Sequence, residues 1–224
     1  MPARLAIATW PLPCLYRFNN YKTIKMRKIL VFASLVLFSF SVNAQRTTFG
    51  IKGGLNLSTV KTDDDDFNKD RAMLPTFHVG PVLNIGVSEN FSIQPQLLLQ
   101  GKGVAIAHEG HKDKFKFLSL DLPVNLLFRS GGFFVGGGPN LGINLNGKYQ
   151  SEDDPTENQD LEFGSEAGKI KRTNIGLNLM TGYQTQSGLV LNVNYLAGLS
   201  NWFNTSDKWR NNLIGIGVGY MFNR

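Results

Sequence analysis

The chain has 224 residues, a formal net charge of +6 and a single cysteine. Residues 1–44 hold Arg4, Arg17, Lys22, Lys25, Arg27 and Lys28 and no acid, so removing those six from 23 basic residues leaves 17 against 17 acidic ones. The neutral remainder excludes nucleic acid as a partner on charge grounds. Cys14 also falls in that front, which leaves the rest without a disulfide, a thiol nucleophile or a cysteine metal site.

Met26-Arg27-Lys28 forms a basic start, Ile29 to Phe40 is an apolar run, and Ser41-Val42-Asn43-Ala44 ends in a small residue. This is the order of a cleavable secretory signal peptide, with cleavage expected after Ala44. The run is too short to cross a bilayer as a helix, which takes about 20 apolar residues. Residues 1–25, with Pro2, Pro11 and Pro13, fit no part of a signal peptide, so translation is expected to start at Met26 and the first 25 residues to be a mis-assigned N-terminal extension. No cysteine stands at the cleavage point, which excludes a lipoprotein anchor there. One domain is expected over 45–224, after a signal peptide at 26–44.

From Thr47 onward apolar residues alternate with small or polar ones in eight blocks, the primary signature of β-strands. In the first, Thr47 to Ser58, Phe49, Ile51, Gly53, Leu55 and Leu57 oppose Gly50, Lys52, Gly54 and Asn56. The second (74–87) sets Phe77, Val79, Leu83 and Ile85 against His78, Gly80 and Asn84; the third (91–103) sets Phe91, Ile93, Leu97 and Leu99 against Ser92, Gln94, Gln96, Gln100 and Lys102. The fourth (116–129) opposes Leu118, Leu120, Leu122, Val124, Leu126 and Phe128 to Ser119, Asp121, Asn125 and Arg129. The remaining blocks, near 132–146, 172–184, 188–199 and 212–222, repeat the pattern with Gly and Asn on the polar face. Each is long enough for a tilted membrane strand of about 9–11 residues.

Connections alternate in length. Ser88-Glu89-Asn90, Ser130-Gly131 and Gln186-Ser187-Gly188 are tight turns, whereas 59–73, 104–115, 147–171 and 200–211 are longer and hold most of the charge. Short periplasmic turns and long outer loops are the layout of an outer-membrane barrel, and an even strand count returns both termini to the periplasmic side. A soluble barrel is the alternative, but its exterior should be roughly 25–35% charged, and the polar face here is Gly, Asn, Gln and Ser. The expected fold is therefore all-β: an eight-stranded antiparallel up-and-down transmembrane β-barrel.

Three stretches carry a family resemblance. Phe49-Gly50-Ile51-Lys52-Gly53-Gly54-Leu55-Asn56-Leu57-Ser58, Leu120-Asp121-Leu122-Pro123-Val124-Asn125-Leu126-Leu127, and Gly131 to Gly142 with Gly136-Gly137-Gly138-Pro139 resemble the first, fourth and fifth strands of the PorT-like outer-membrane β-barrel family. Membership would imply insertion by the barrel-assembly machinery, with outer-membrane lipid and lipopolysaccharide as surroundings. One relative serves in protein secretion, so secretion-complex proteins are candidate partners, although no motif here carries that role over. The final Tyr220-Met221-Phe222 looks like an assembly signal, but Asn223 and Arg224 follow the aromatic.

An eight-stranded barrel has an interior just wide enough for side chains to fill. Lys52, Lys102, Asp121 and Arg129 are the expected lumen charges, held in ion pairs or against trapped water because an unpaired buried charge is costly. His78 faces the same lumen. His108-Glu109-Gly110-His111 has residue types suited to zinc or to a lipid-modifying enzyme but no recognisable catalytic spacing. Asp63-Asp64-Asp65-Asp66 and Glu152-Asp153-Asp154 lack the alternating ligands and glycine turn of a calcium loop, and are expected to be solvated. Trp202, Phe203 and Trp209, with Lys208 and Arg210, form the candidate outer-loop interaction surface. No catalytic residue, metal or cofactor is expected. The expected role is structural or loop-mediated in the envelope; a secretion or assembly component, a small channel and a lipid-modifying enzyme are the alternatives.

Overall fold

The computed structural model describes residues 47–63, 67, 70–108, 111–153, 156, 158–164, 166, 169–203 and 208–222. The expected leader and its cleavage site, Asp64 to Asp66, Glu109-Gly110, Asp154-Pro155, Asn223-Arg224, and the side chains of His108 and His111 lie outside the described residues.

Eleven strands run in chain order: β1 (Thr47–Thr62), β2 (Arg71–Ala72), β3 (Leu74–Gly86), β4 (Phe91–Pro95), β5 (Leu98–His108), β6 (His111–Ser130), β7 (Phe133–Gln150), β8 (Gln159–Asp160), β9 (Thr173–Gln184), β10 (Leu189–Gly198) and β11 (Trp209–Phe222). All pairings between these strands are antiparallel, and β1 pairs with both β3 and β11 while β6 pairs with β7, which closes the sheet into a ring. β2 and β8 are two-residue additions on β5 and β7. β4 and β5 together make one barrel strand, because their register against both neighbours is continuous. Ile85↔Ile93, Val82↔Gln96 and His78↔Gln100 share one offset on one side, and Pro95↔Val124 and Leu98↔Asp121 share another. The break at Gln96-Leu97 has a local cause. Leu97 N donates to Pro81 O at 3.1 Å and Gln96 N to Pro123 O at 3.0 Å, and neither proline has an N–H with which to return a bond. The ring is therefore eight strands, joined in up-and-down order.

Several strands run further than the alternation in the sequence suggested. The segment 104–115, read as loop, is mostly hairpin, with pairing continuing to His108↔His111. Lys112, Lys114 and Lys116 give it a loop-like composition, yet they occupy one face while Phe115 and Phe117 occupy the other. β7 likewise continues to Gln150 past a register shift, where Leu118 pairs with Asn146 and Ser119 with Asn144, leaving Leu145 as the extra residue.

The two faces separate as period-2 geometry requires. Leu55, Leu126, Leu191 and Ile216 point outward and are more than half exposed, while Asn56, Asn125, Gln96 and Asn140 point inward and are buried. So large and continuous an apolar exterior has no place in water, where exposed patches rarely exceed a few hundred Å². It is the band of a membrane barrel. Aromatic residues mark its lower edge near the short turns: Phe49 stacks on Phe222 at 5.9 Å, Phe91 meets Phe128 edge-on at 5.4 Å, and Phe133 meets Tyr183 at 4.8 Å.

Candidate functional site

The inward side chains form three zones along the barrel. At mid-height, Lys102 on β5 and Asp121 on β6 are both buried and paired, with Lys102 Nζ 2.7 Å from Asp121 Oδ2. Asp121 also accepts from Asn140 Nδ2 at 2.9 Å, from Gln100 Nε2 at 3.4 Å and from Ser119 Oγ. Lys102 donates on to Asn174 Oδ1 at 2.8 Å, and Asn174 donates to Asn144 Oδ1 at 3.2 Å. The chain of bonds thus crosses from β5 through β6 and β7 to β9. Two unlike charges so close, each with further hydrogen bonds, satisfy the conditions under which a buried pair can persist.

Toward the short-turn end, Arg129 of β6 lies across the lumen. Its Nε donates to Ser92 Oγ, and its two terminal nitrogens donate to Gln184 Oε1 and Asn84 Oδ1, each at 2.9 Å. The guanidinium also sits 5.2 Å above the ring of Phe134. The planar fork of arginine suits three separate acceptors on three strands better than a lysine ammonium would. Beside it, on the mid-barrel side, Leu127, Phe134 and Met180 make a small buried apolar cluster.

Lys52 and His78 occupy the wall between. Both are buried; His78 Nδ1 is 2.8 Å from Asn56 Oδ1, while Nε2 has no partner. Among the described residues no carboxylate lies within ion-pair distance of Lys52. Asn192 and Asn194 of β10 also carry buried amide atoms without partners. Room for His78 comes from glycine: a Cβ on Gly54 would meet its Cε1 at 2.7 Å, and one on Gly217 its Nε2 at 3.0 Å. Internal voids are small. One bordered by Lys52, Gln94, Arg129 and Asn192 is about 20 Å³, and one beside Lys102, Asn174 and Asn211 is about 10 Å³. A single water needs at least about 10–15 Å³, so neither void has room for more than about one water.

At the long-loop end the inward positions change character. Val60, Val104 and Phe117 replace the polar residues found lower on the same strands, and Ile170 and Trp202 from the connections cover them. Phe117 meets Trp202 edge-on at 4.6 Å, and Trp209 packs against Phe67 at 4.5 Å and Phe203 at 5.7 Å. Backbone bonds fasten this cap: Lys171 N donates to Trp202 O at 2.7 Å, Trp202 N to Trp209 O at 2.8 Å, and Leu161 N to Gly147 O at 2.9 Å.

Lys102 and Asp121, separated by 19 residues, are brought into contact, whereas Arg129 is held apart from them by its own set of neutral acceptors. The aromatic group offered as an outer-loop surface is only partly a surface: Trp202 is 7% exposed because it fills the cap, and Phe203 and Trp209 are partly buried against the same cluster. Sequence reasoning missed the cap. Its signal was present in Val60, Val104 and Phe117, apolar residues at inward positions near the long-loop ends of strands that carry polar ones lower down. Asp63 is exposed and pairs with Lys208 at 2.9 Å. Among the described residues no group of three His, Cys, Asp or Glu side chains is placed to hold a metal ion.

This closed ring with a polar, filled interior and an apolar exterior defines an integral β-barrel of the bacterial outer membrane. The chain belongs to the outer membrane protein beta-barrel domain family, whose model matches residues 39–204. No curated protein matches it significantly. Among solved structures it is similar to Ail, the attachment invasion locus protein of Yersinia pestis, in complex with the heparin analogue sucrose octasulfate. That match has 15% identity over 79% of this chain and 99% of that one, with a TM-score of 0.46. It is also similar to Neisserial surface protein A, at 13% identity over 78% and 97% of the two chains and a TM-score of 0.47. A third match, OprG from Pseudomonas aeruginosa, has 14% identity over 79% and 96%, with a TM-score of 0.39.

Proposed function

We propose that the protein is a non-enzymatic, non-conducting barrel whose role in the envelope is structural and whose contacts with partners are made by its outer loops. The carrying observation is the bonded lumen: the Lys102–Asp121 network at mid-height and Arg129 below it tie strands together across the interior, beside voids of about 20 and 10 Å³. The apolar cap supports the same reading, since dewetted apolar constrictions oppose ion passage. The finer PorT-like identity, carried by residues 49–58, 120–127 and 131–142, and the periplasmic placement of the termini belong to this proposal. Planar-bilayer recording of the full chain tests it. No discrete conductance steps above the lipid background are expected, and sustained unitary steps from folded protein would overturn the closed-lumen reading in favour of a small channel. Recovery of stoichiometric secretion or assembly proteins from gently solubilised membranes would move the role from structural to assembly component.

A further inference from the structure

The exterior just beyond the apolar band is basic, and its cations are arranged against one another. On β6, Lys112, Lys114 and Lys116 lie on the outward face, and Lys116 is directly opposite Lys148 of β7. On the other side of the ring Lys61 of β1 is directly opposite Arg210 of β11. Like charges directly opposed on one face of a sheet destabilise it, so two such pairs at one level need an external explanation. Among the described residues acids offset this only at one point. Lys148 has Asp160 of β8 directly opposite on its other side, a solvent-exposed ion pair stretched to 4.0 Å, whereas Asp113 accepts from Tyr149 Oη at 2.8 Å on the opposite face of β6 and Asp63 pairs with Lys208. Among the described residues no carboxylate lies within ion-pair distance of Lys61, Lys112, Lys114, Lys116 or Arg210.

Their height is informative. Phe49 and Lys61, Phe128 and Lys116, and Phe222 and Arg210 are each separated by 12 residues along their strand (61−49, 128−116, 222−210). At about 3.3 Å per residue and a strand tilt of about 40°, that is a rise of roughly 30 Å above the aromatic girdle. The apolar band of an outer-membrane barrel is about 25 Å tall. Lys61, Lys116 and Arg210 therefore clear the hydrocarbon by about 5 Å and stand at headgroup level, with Lys114 and Lys112 roughly 5 and 10 Å farther out along β6, and their aliphatic stems can lie along the strand surface.

We propose that Lys112, Lys114, Lys116 and Lys148 form a binding surface for the phosphate groups of outer-leaflet lipid, with Lys61 and Arg210 making a second such contact across the barrel. Occupant and geometry agree: a phosphate between Lys116 and Lys148 turns a repulsive cross-strand pair into a clamp, and lysine serves phosphate as a mobile point charge. The inference rests on the outer-membrane reading with the long loops outward.

The test uses the full chain folded into phosphatidylcholine vesicles, with bis-phosphorylated lipid A and chemically dephosphorylated lipid A as probes and native mass spectrometry as the readout. Wild type is expected to retain lipid A at least about tenfold better than its dephosphorylated form. K112Q/K114Q/K116Q/K148Q, confirmed folded by its heat-modifiable gel shift, is expected to lose that preference. K169Q/K208Q, which removes loop cations already paired to acids, is expected to keep it. Equal retention of the two lipids by wild type, undiminished retention by the fourfold variant, or full displacement of lipid A by millimolar inorganic phosphate overturns the proposal. Failure of wild type to insert into phosphatidylcholine at all would instead overturn the membrane reading beneath it, and the gel shift separates the two failures.

Discussion

Asp121→Asn removes one charge from the lumen and almost no volume. It leaves the Lys102 ammonium buried without a counter-charge, with Asn174 Oδ1 and one neutral amide oxygen as acceptors, and it faces Asn140 Nδ2 and Gln100 Nε2 with an amide in place of two carboxylate oxygens. Breaking a buried pair from one side costs about 3–5 kcal/mol, and the structure puts this change at the upper end. Lys102→Met is the gentler break, because Asp121 keeps donors from Ser119, Gln100 and Asn140; about 2–3 kcal/mol is expected, near the cost of a lost charged hydrogen bond. The double variant should cost less than the sum, since neither charge is left alone. Urea unfolding of the full chain in phosphocholine bilayers, followed by tryptophan fluorescence, measures all three. A loss below about 1 kcal/mol for Asp121→Asn, or strict additivity in the double variant, would refute the idea that this pair organises the lumen.

Three further outcomes follow from the same geometry. Leu122 lies midway between Phe128 and Lys116 on the outward face of β6, so Leu122→Arg should destabilise insertion by about 2–4 kcal/mol, whereas Thr59→Arg, near the headgroup level of β1, should cost about 0–1 kcal/mol; comparable unfolding free energies would contradict the assigned band. Trp202→Ala should loosen the cap while leaving the barrel intact. Limited trypsinolysis is then expected to cut faster after Lys169, Lys171 and Arg172, with the strands remaining protected, and a wild-type rate would mean that Trp202 does not hold the cap. Gly103 has φ of +147° and sits where its N–H donates to Ser58 Oγ at 2.9 Å; Gly103→Ala should cost more than about 1 kcal/mol in the same urea assay, and a neutral result would show that the strand relaxes there.

The sequence alone determined the barrel, its strand count and which face is wet. Strands need only local period-2 alternation, and Phe49 to Leu57 or Leu118 to Phe128 state their inward and outward sets without reference to any other part of the chain. It also supplied Lys52, Lys102, Asp121 and Arg129 as inward charges, because parity fixes facing. Parity cannot fix register. Only the closed ring decided that Lys102 meets Asp121, since that contact depends on how far β5 slides against β6, while Arg129 falls among Ser92, Asn84 and Gln184. The cap was decided at the same level. Trp202 looked like a loop aromatic in sequence, and it became core only when Leu161, Phe163, Ile170 and Phe203 gathered with it over Val60, Val104 and Phe117 from three different strands. The opposed cations are the third case. Lys116 and Lys148 lie 32 residues apart (148−116), and their mutual repulsion exists only because the β6–β7 register, shifted by one residue at Leu145, sets them side by side.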